Sequence, residues 1–270
     1  MGGIIQASPF SGEVFMHILV TNDDGVMAPG LLALAQEMRE LGEVSIVAPE
    51  QNWSASGHVK TMHRPLRVKE VLLADGTRAL ASDGAPSDCV ALALLGLVKQ
   101  PVDLVVSGIN PNANIGHDVT YSGTVTAAME AVITGNIPAL AISLDGPDNH
   151  SALLDYKPAA AFAKQIAQKV LEQGLPKGVF LNVNVPNLSQ ERIMGVRVTR
   201  QGLRVYRDSL DKRYDPRGRP YYWIGGEAPT AIPEEGTDYG AVKQGYVSVT
   251  PLQLDLTAWS ALTELQRWQW

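Results

Sequence analysis

Two neighbouring carboxylates at the end of an apolar run are the first residues of this 270-residue sequence that could do chemistry. The segment ILVTNDDGVMAPG, residues 18–30, places Asp23 and Asp24 directly after the run, and it contains no Lys or Arg. Adjacent carboxylates repel each other unless a positive charge offsets them. A bound divalent metal ion would supply that charge. The alternative is structural, because Asn, Asp and Gly also favour tight turns and helix caps.

Two further polar clusters follow predicted strands in the same way. Residues 52–58 read NWSASGH, and residues 107–124 read SGINPNANIGHDVTYSGT. In open α/β sheets, ligands bind beyond the carboxyl ends of the strands, so the fold can bring the three clusters together. Their donors are carboxylate, hydroxyl and amide oxygens, with His58 and His117 as the nitrogen candidates. Such oxygen donors select Mg²⁺, Mn²⁺ or Ca²⁺ rather than a structural zinc.

A predicted helix start in the third cluster indicates an anion site. Ser122, Gly123 and Thr124 stand where the helix begins, and the free N–H groups of a helix N-terminus bind anions readily. Carboxylate metal ligands beside an anion site form the arrangement that phosphoryl chemistry needs. A Ser or Thr cap on a buried helix explains the same residues equally well.

Common nucleotide-binding motifs are absent from the sequence. It contains no G-x-x-x-x-G-K-[ST] loop, and no G-x-G-x-x-G follows the first apolar run. Aspartyl-phosphate phosphatases need a nucleophile and an acid on the same side of the chain. Asp23 and Asp24 are adjacent, and adjacent side chains of an extended chain point in opposite directions. This disfavours a covalent aspartyl-phosphate route.

Apolar runs alternate with helical patterns over the first two-thirds of the chain. The runs that predict buried strands are 17–21, 44–49, 102–108, 139–143 and 179–186. Between these runs, apolar residues recur at helical spacing in segments that begin near Pro29, Pro86, Gly123 and Lys157. Strands separated by helices form βαβ units. The sequence therefore predicts an α/β fold with a doubly wound, mostly parallel, Rossmann-like sheet, in a catalytic core over residues 16–190.

Beyond residue 190 the pattern changes to short alternating stretches. Those that predict antiparallel hairpins are 193–200, 202–208, 220–225 and 246–250. Residues 192–219 hold nine Lys or Arg against three Asp, and four of the five Trp lie beyond residue 220. Residues 191–270 are therefore predicted to form a β-hairpin arm and a C-terminal extension. The arm either packs on another subunit or folds back on its own core.

Composition and charge exclude several classes of protein. The net charge is −6 and the pI about 5.4, which argues against a nucleic-acid partner. Cys89 is the single cysteine, which excludes an intrachain disulfide and a cysteine metal cluster and predicts a cytoplasmic setting. No apolar run reaches the roughly 18 residues of a membrane span, so no membrane partner is expected. Residues 1–15 lack the features of a signal peptide and are interpreted as a disordered leader or tag.

An ordered set of motifs resembles the SurE survival-protein family. The matching segments, from Met16 to about residue 257, are ILVTNDDG, APEQNWSASGH, DGAPSDCV, DLVVSGIN, YSGTVTAAMEA, IPALAIS, LNVNVP and GYVSVTPLQLDLT. The resemblance implies a metal-dependent phosphatase that hydrolyses nucleoside 5′-monophosphates, with 3′-monophosphates and short polyphosphate as further substrates. It also implies a homodimer or homotetramer in which C-terminal elements are exchanged between subunits.

The resemblance also implies roles for individual residues. The implied ligands of one divalent cation per subunit are Asp23, Asp24, Ser54 and Asn110, of which the two aspartates are also implied to be catalytic. The implied phosphate contacts are Asn114, Ser122, Gly123 and Thr124. The cation would be Mg²⁺ or Mn²⁺, with Ca²⁺ as an option in a crystal. At residue 112 this sequence has Asn where the family usually has Gly, and Asn tolerates a left-handed backbone better than other residues do.

Two rival interpretations share parts of this site. A non-catalytic nucleotide- or metal-binding stress protein would keep the anion site but would need no ion that activates water. A covalent aspartyl-phosphate phosphatase would act on the same substrates. His58 stands beside Ser54 and Ser56 in the second cluster. It either protonates the leaving oxygen of the substrate or is an ordinary loop histidine.

Overall fold

The computed structural model describes residues 16–147 and 154–269. In chain order the strands are β1 (His17–Thr21), β2 (Glu43–Pro49), β3 (Val68–Leu72), β4 (Arg78–Ser82), β5 (Leu104–Asn110), β6 (Ala139–Asp145), β7 (Val179–Pro186), β8 (Val196–Val198), β9 (Arg204–Tyr214), β10 (Pro220–Ala231) and β11 (Val247–Gln253). The α-helices are α1 (Pro29–Met38), α2 (Pro86–Leu92), α3 (Gly123–Gly135), α4 (Lys157–Gln173), α5 (Asp238–Lys243) and α6 (Trp259–Leu265). The segment predicted as a leader or tag, residues 1–15, lies outside the described residues.

Nine strands form one sheet in the order β3-β4-β2-β1-β5-β6-β7-β11-β8. The six strands from β4 to β7 in that order all run parallel to one another. The chain moves outward from β1 to β2 on one side and continues with β5 on the other, so the strand order reverses between β1 and β5. In a doubly wound sheet this reversal marks the ligand crevice at the carboxyl ends of the strands. The predicted fold class is confirmed.

Helices cover both faces of the central strands, which is why those strands are apolar on both sides. Ile18, Leu19 and Val20 of β1 are fully buried. Helices α1 and α4 pack over one face of the sheet, and α2 and α3 pack over the other. No helix in the described part of the chain is long and apolar enough to cross a membrane.

Pairing beyond residue 190 differs from the sequence prediction. The stretches 193–200 and 246–250 do not form arm hairpins: β11 pairs antiparallel with β7, and β8 pairs parallel with β11, so both belong to the main sheet. The two-stranded hairpin is β9 with β10. The hairpin of β3 and β4 at the opposite edge of the sheet was missed. Alternation along the sequence predicts a strand but does not specify its partner, because the partner is chosen by packing at long range.

Candidate active site

Three loops meet at the carboxyl ends of β1, β2 and β5, where the strand order reverses. They line a cavity of about 570 Å³. The residues implied by the sequence that lie in its wall are Asp23, Asp24, Ser54, Asn110, Asn114 and Ser122. The three polar clusters of the sequence therefore contribute to one cavity, although they are far apart along the chain.

Asp23 is almost fully buried between the end of β1 and the start of α3. It is 3% exposed, and its Oδ1 accepts a hydrogen bond of 2.6 Å from Thr124 Oγ1. Burial raises the pKa of this carboxyl above its ordinary value, although the Thr124 hydroxyl and the backbone N–H groups of Thr124 and Gly123 act in the opposite direction. A Cβ on Gly123 would lie 2.7 Å from Asp23 Cβ, so glycine allows the close approach. The N-terminus of α3 therefore holds a carboxylate of the protein itself.

Asp24 lies in the same cavity, and its carboxyl is harder to ionise than an ordinary aspartate. Burial, and after it the negative charge of Asp23, raises the pKa of the Asp24 carboxyl to about 7. Among the residues that the structure describes, no Lys, Arg or His forms an ion pair with either aspartate. Asn52 Nδ2 lies 3.4 Å from Asp24 Oδ1. The two carboxyls are therefore hard to ionise together, and a bound cation would stabilise their charged forms.

The loop after β2 is attached to both of the other loops. The backbone N–H of Trp53 donates to Asp23 O at 2.7 Å, and that of Gly57 donates to Tyr121 O at 2.9 Å. Within the loop, the N–H of Ser54 donates to Asn52 Oδ1 at 2.7 Å. These contacts hold the exposed Ser54 in the wall of the cavity beside the aspartates.

Two asparagines, one at the end of β5 and one in the loop after it, form the next part of the cavity wall. Asn110 donates from Nδ2 to Asn112 O at 2.6 Å, so its amide oxygen is the acceptor that remains on the side chain. Asn114 is 7% exposed and donates from Nδ2 to Ser143 Oγ at 2.8 Å. Asn112 does not adopt the left-handed conformation, because the non-glycine residues with positive φ in the described chain are Ala55 and Asn136. The loop path therefore does not depend on a glycine at residue 112.

The residues implied as phosphate contacts have different surroundings. Asn114 and Ser122 line the cavity. Ser122 is also the N-cap of α3, since its Oγ accepts a hydrogen bond of 3.1 Å from the N–H of Val125. Gly123 and Thr124 contact Asp23 instead, as described above. Their role toward phosphate stays a prediction.

The root of the arm adds residues that sequence reasoning missed. Arg204 and Tyr206 of β9 line the cavity together with Tyr121 and Asp118. Arg204 Nε lies 2.9 Å from Asp118 Oδ2, and the Tyr206 hydroxyl donates to Asp118 Oδ1. The only signal in the sequence was the spacing, because residues two apart in a strand share a face. Nothing local indicated that this face meets the loop of Asp118.

Comparison with known proteins identifies the family. Residues 18–208 match the family model described as Survival protein SurE. The chain belongs to the SurE family. Similar proteins include the 5′-nucleotidase SurE of Herpetosiphon aurantiacus, which is 56% identical over 90% of this chain and 94% of that protein. The 5′-nucleotidase SurE of Chloroflexus aggregans is 51% identical over 94% of this chain and 100% of that protein.

A solved structure of a SurE protein has the same fold. The crystal structure of the SurE protein from Aquifex aeolicus matches this chain with a TM-score of 0.77 and 42% sequence identity. The match covers 93% of this chain and 98% of the Aquifex chain. The α/β sheet of this chain therefore has the fold of a SurE protein.

His58 of this SurE chain contacts Glu130 of α3. Its Nε2 lies 2.8 Å from Glu130 Oε2, while Lys60 Nζ donates to Glu130 Oε1 at 3.1 Å. Thr134 Oγ1 donates to the same Oε1 at 2.7 Å. These are the contacts of a loop histidine with a structural partner, which favours that interpretation over a proton donor to the leaving group.

The donor set around the aspartates fits a divalent cation. In the described part of the chain no three His, Cys, Asp or Glu side chains converge on a metal site. A cation here would therefore rely on Asp23 and Asp24 together with neutral oxygens and water. Mg²⁺ commonly binds in this way, through one or two carboxylates, several waters and the phosphate of a substrate. The fit rests on one buried and one half-buried carboxylate that form no ion pair with a cationic side chain in the described part of the chain.

Proposed function

We infer that this SurE chain is a 5′-nucleotidase, a metal-dependent phosphomonoesterase that hydrolyses nucleoside 5′-monophosphates to nucleoside and phosphate. The observation that carries the inference is the Asp23–Asp24 pair, which has no cationic partner among the described residues and lies in a cavity lined by amide and hydroxyl groups. The relatives named 5′-nucleotidase SurE, at 51–56% identity, support the same activity.

Asp23, Asp24, Ser54 and Asn110 are the residues that would hold the divalent cation, Mg²⁺ or Mn²⁺, at one site per subunit. When bound, the cation supplies positive charge that polarises the phosphate ester and assists attack by water. Asp23 is already bound by the Thr124 hydroxyl and by the first amides of α3. Asp24 is therefore the better placed of the two carboxylates to accept a proton from the attacking water.

The phosphate would be oriented by polar groups that line the same cavity as the aspartates. Asn114 and Ser122 present an amide and a hydroxyl in the cavity wall, and fixed dipoles of this kind stabilise charge that develops in the transition state. Gly123 and Thr124 fix Asp23 beside this site, and a direct contact of either with the phosphate is proposed from the family resemblance.

The cavity is suited to a nucleoside as well as to a phosphate. Tyr121 is 60% exposed and Tyr206 is 38% exposed, and both line the cavity. Aromatic faces of this kind stack on nucleobases without selecting strongly among them. Nucleoside 3′-monophosphates and short polyphosphate are proposed as further substrates on the basis of the family resemblance.

The active protein is proposed to be a cytoplasmic homodimer or homotetramer in which the arm is exchanged between subunits. Leu210, Trp223 and Ile224 of the hairpin are 67%, 61% and 82% exposed in the single chain. Large apolar side chains at such exposure are typical of a surface that packs on a partner.

A metal-by-substrate activity panel tests the proposal. Chelated protein would receive Mg²⁺, Mn²⁺ or Ca²⁺ with nucleoside 5′- and 3′-monophosphates, polyphosphate or an aryl phosphate. We expect metal-dependent phosphate release, highest with 5′-monophosphates. Binding of nucleotide without phosphate release would instead support a non-catalytic protein. Solvent ¹⁸O found on Asp23 or Asp24 after turnover would support a covalent aspartyl-phosphate enzyme.

A further inference from the structure

We propose that Asn182 and Asn184 of β7 are positioning residues that fix the Asn114 loop for phosphate binding. This rests on the proposed function, because the loop is useful only if the cavity binds a phosphate ester. Neither asparagine lines the cavity in which Asn114 lies. They belong to the motif LNVNVP, which the metal site and the phosphate contacts leave without a role.

Side-chain amides take the place of a backbone partner for Asn114. The N–H of Asn114 donates to Asn184 Oδ1 at 2.8 Å, and Asn184 Nδ2 donates back to Asn114 O at 3.0 Å. Asn182 Nδ2 adds a second hydrogen bond to Asn114 O at 2.8 Å. Both polar groups of the Asn114 backbone are therefore held by a strand about 70 residues away, as a neighbouring strand would hold them.

The side chain of Asn114 is fixed from the adjacent strand. Asn114 Nδ2 donates to Ser143 Oγ of β6 at 2.8 Å, and Ser143 stands directly opposite Asn184 in the sheet. With its backbone and its side-chain amide both held, Asn114 keeps one orientation in the cavity wall. A phosphate site benefits because donors that are already oriented need no rearrangement in the transition state.

A row of polar residues, one on each of four neighbouring strands, extends across the sheet from the candidate site. Asn110 pairs with Ser143, Ser143 with Asn184, and Asn184 with Ser248 of β11. Asn182 and Asn184 are two apart and so share the face of β7 on which α3 and the Asn114 loop lie. The row therefore connects one implied metal ligand with the support of an implied phosphate contact.

Stability alone does not explain two asparagines in this strand. Both are fully buried, asparagine is disfavoured in strands, and a buried amide costs free energy unless it is hydrogen-bonded. Asn182 Oδ1 has no hydrogen-bond partner within the described chain. The alternating residues Leu181 and Val183 on the other face are apolar. Apolar residues could fill the same space, but they could not hold the Asn114 backbone.

The test compares Asn184→Ala and Asn182→Ala with Val183→Ala, a control in the same strand whose side chain packs on the opposite face and is equally buried. We expect kcat for a nucleoside 5′-monophosphate to fall by about 10- to 100-fold in Asn184→Ala, since a displacement of about 1 Å can cost that much. The loss in Asn182→Ala should be smaller, because Asn184 retains both of its hydrogen bonds to Asn114. Val183→Ala should lower the melting temperature with kcat near that of the wild type.

Hydrogen exchange across residues 110–121 provides a readout that is independent of activity. In Asn184→Ala the Asn114 amide should exchange faster while the core strands keep their protection. Wild-type exchange of this loop together with wild-type kcat in Asn184→Ala would overturn the proposal. So would an equal loss of kcat in Val183→Ala, which would show that the effect passes through global stability. If the wild type lacks nucleotidase activity, the proposed function fails, whereas the exchange data still decide whether the asparagines hold the loop.

Discussion

Asp23 and Asp24 are neighbours in the sequence but have different surroundings in the folded chain. Asp23 is enclosed by the start of α3, and the hydroxyl and amides there partly offset its burial. Within the described chain Asp24 has no comparable set of donors, and its pKa rises to about 7. In the metal-free protein, the charge of each carboxylate therefore makes ionisation of the other less favourable.

The first prediction concerns Asp24→Asn in chelated protein. Because the folded pKa of Asp24 lies above the unfolded value of 3.8, its ionisation destabilises the fold progressively as the pH rises from about 4 to about 7. The penalty is at most about 4 kcal/mol. We expect Asp24→Asn to remove this pH dependence, so that its metal-free melting temperature at pH 7.5 equals or exceeds that of the wild type.

The same variant should lose its response to metal. Wild-type protein should gain about 2.7 kcal/mol of stability at a metal concentration 100 times Kd, and Asp24→Asn should gain far less. Its nucleotidase activity should be abolished, and that of Asp23→Asn likewise. Near-normal turnover of either variant at saturating Mn²⁺ would refute the assignment of the metal site.

The second prediction concerns Glu130, which ties the loop of residues 58–60 to α3. Burial raises its pKa, but hydrogen bonds from His58, Thr134 and Lys60 outweigh burial and bring the pKa to about 2. The resulting stabilisation is fully present above the unfolded pKa of 4.5 and is lost as the pH falls toward 2. Glu130→Gln should therefore cost about 2 kcal/mol at pH 7 and much less near pH 3.

Chemical unfolding at both pH values measures this difference. Glu70→Gln is the control, because the Glu70–Arg78 pair is exposed at 3.5 Å and should contribute little. A deficit in Glu130→Gln that is the same at pH 3 and pH 7 would show that the carboxylate charge is not the source of the stabilisation.

Elements of the fold could be predicted from the sequence where the signal is local. Buried strands such as 17–21 could be predicted from a short run of apolar residues. Helices such as the one at Pro29 could be predicted from the helical spacing of apolar residues and from a proline at the start. The partners of β8 and β11 could not be predicted, because apolar and polar residues alternate in the same way in a strand of an arm and in a strand of the main sheet. Two of the cavity residues, Arg204 and Tyr206, were missed for the same reason. The three polar clusters could be placed at one edge of the sheet because each follows a recognisable strand, whereas the individual metal and phosphate candidates came from the family resemblance.

The third prediction tests the contribution of strand β9 to substrate choice. Tyr206→Leu removes an aromatic face from the cavity, so KM for AMP should rise about fivefold or more. KM for ribose 5-phosphate, which has no base, should stay nearly constant. Tyr206→Phe is the matched control, because it keeps the ring and loses only the hydrogen bond to Asp118. Equal changes in KM for both substrates would show that Tyr206 does not contact the base.

At the scale of the whole molecule, the main sheet depends on residues from the end of the chain. Strand β11 pairs with β7 from Ser248 to Gln253, with Ser248 opposite Asn184. A truncation after Val198 removes that strand and with it the edge of the polar row. We therefore expect such a truncated chain to aggregate, which would not reveal what the arm itself does. Point substitutions on the hairpin separate the two effects.

The last prediction uses two exposed apolar residues as a matched pair. Ile224 on the hairpin and Met62 in the loop before β3 are each 82% exposed in the single chain. Replacing either with Ser removes few contacts within the subunit, so neither should lower the stability of an isolated chain by much. If the arm packs on a neighbouring subunit, Ile224 becomes buried there, and Ile224→Ser combined with Trp223→Ser should shift sedimentation toward the monomer. Met62→Ser should leave the sedimentation unchanged. Dissociation by Met62→Ser, or an unchanged oligomer in the hairpin variant, would place the subunit contact on a different surface from the arm.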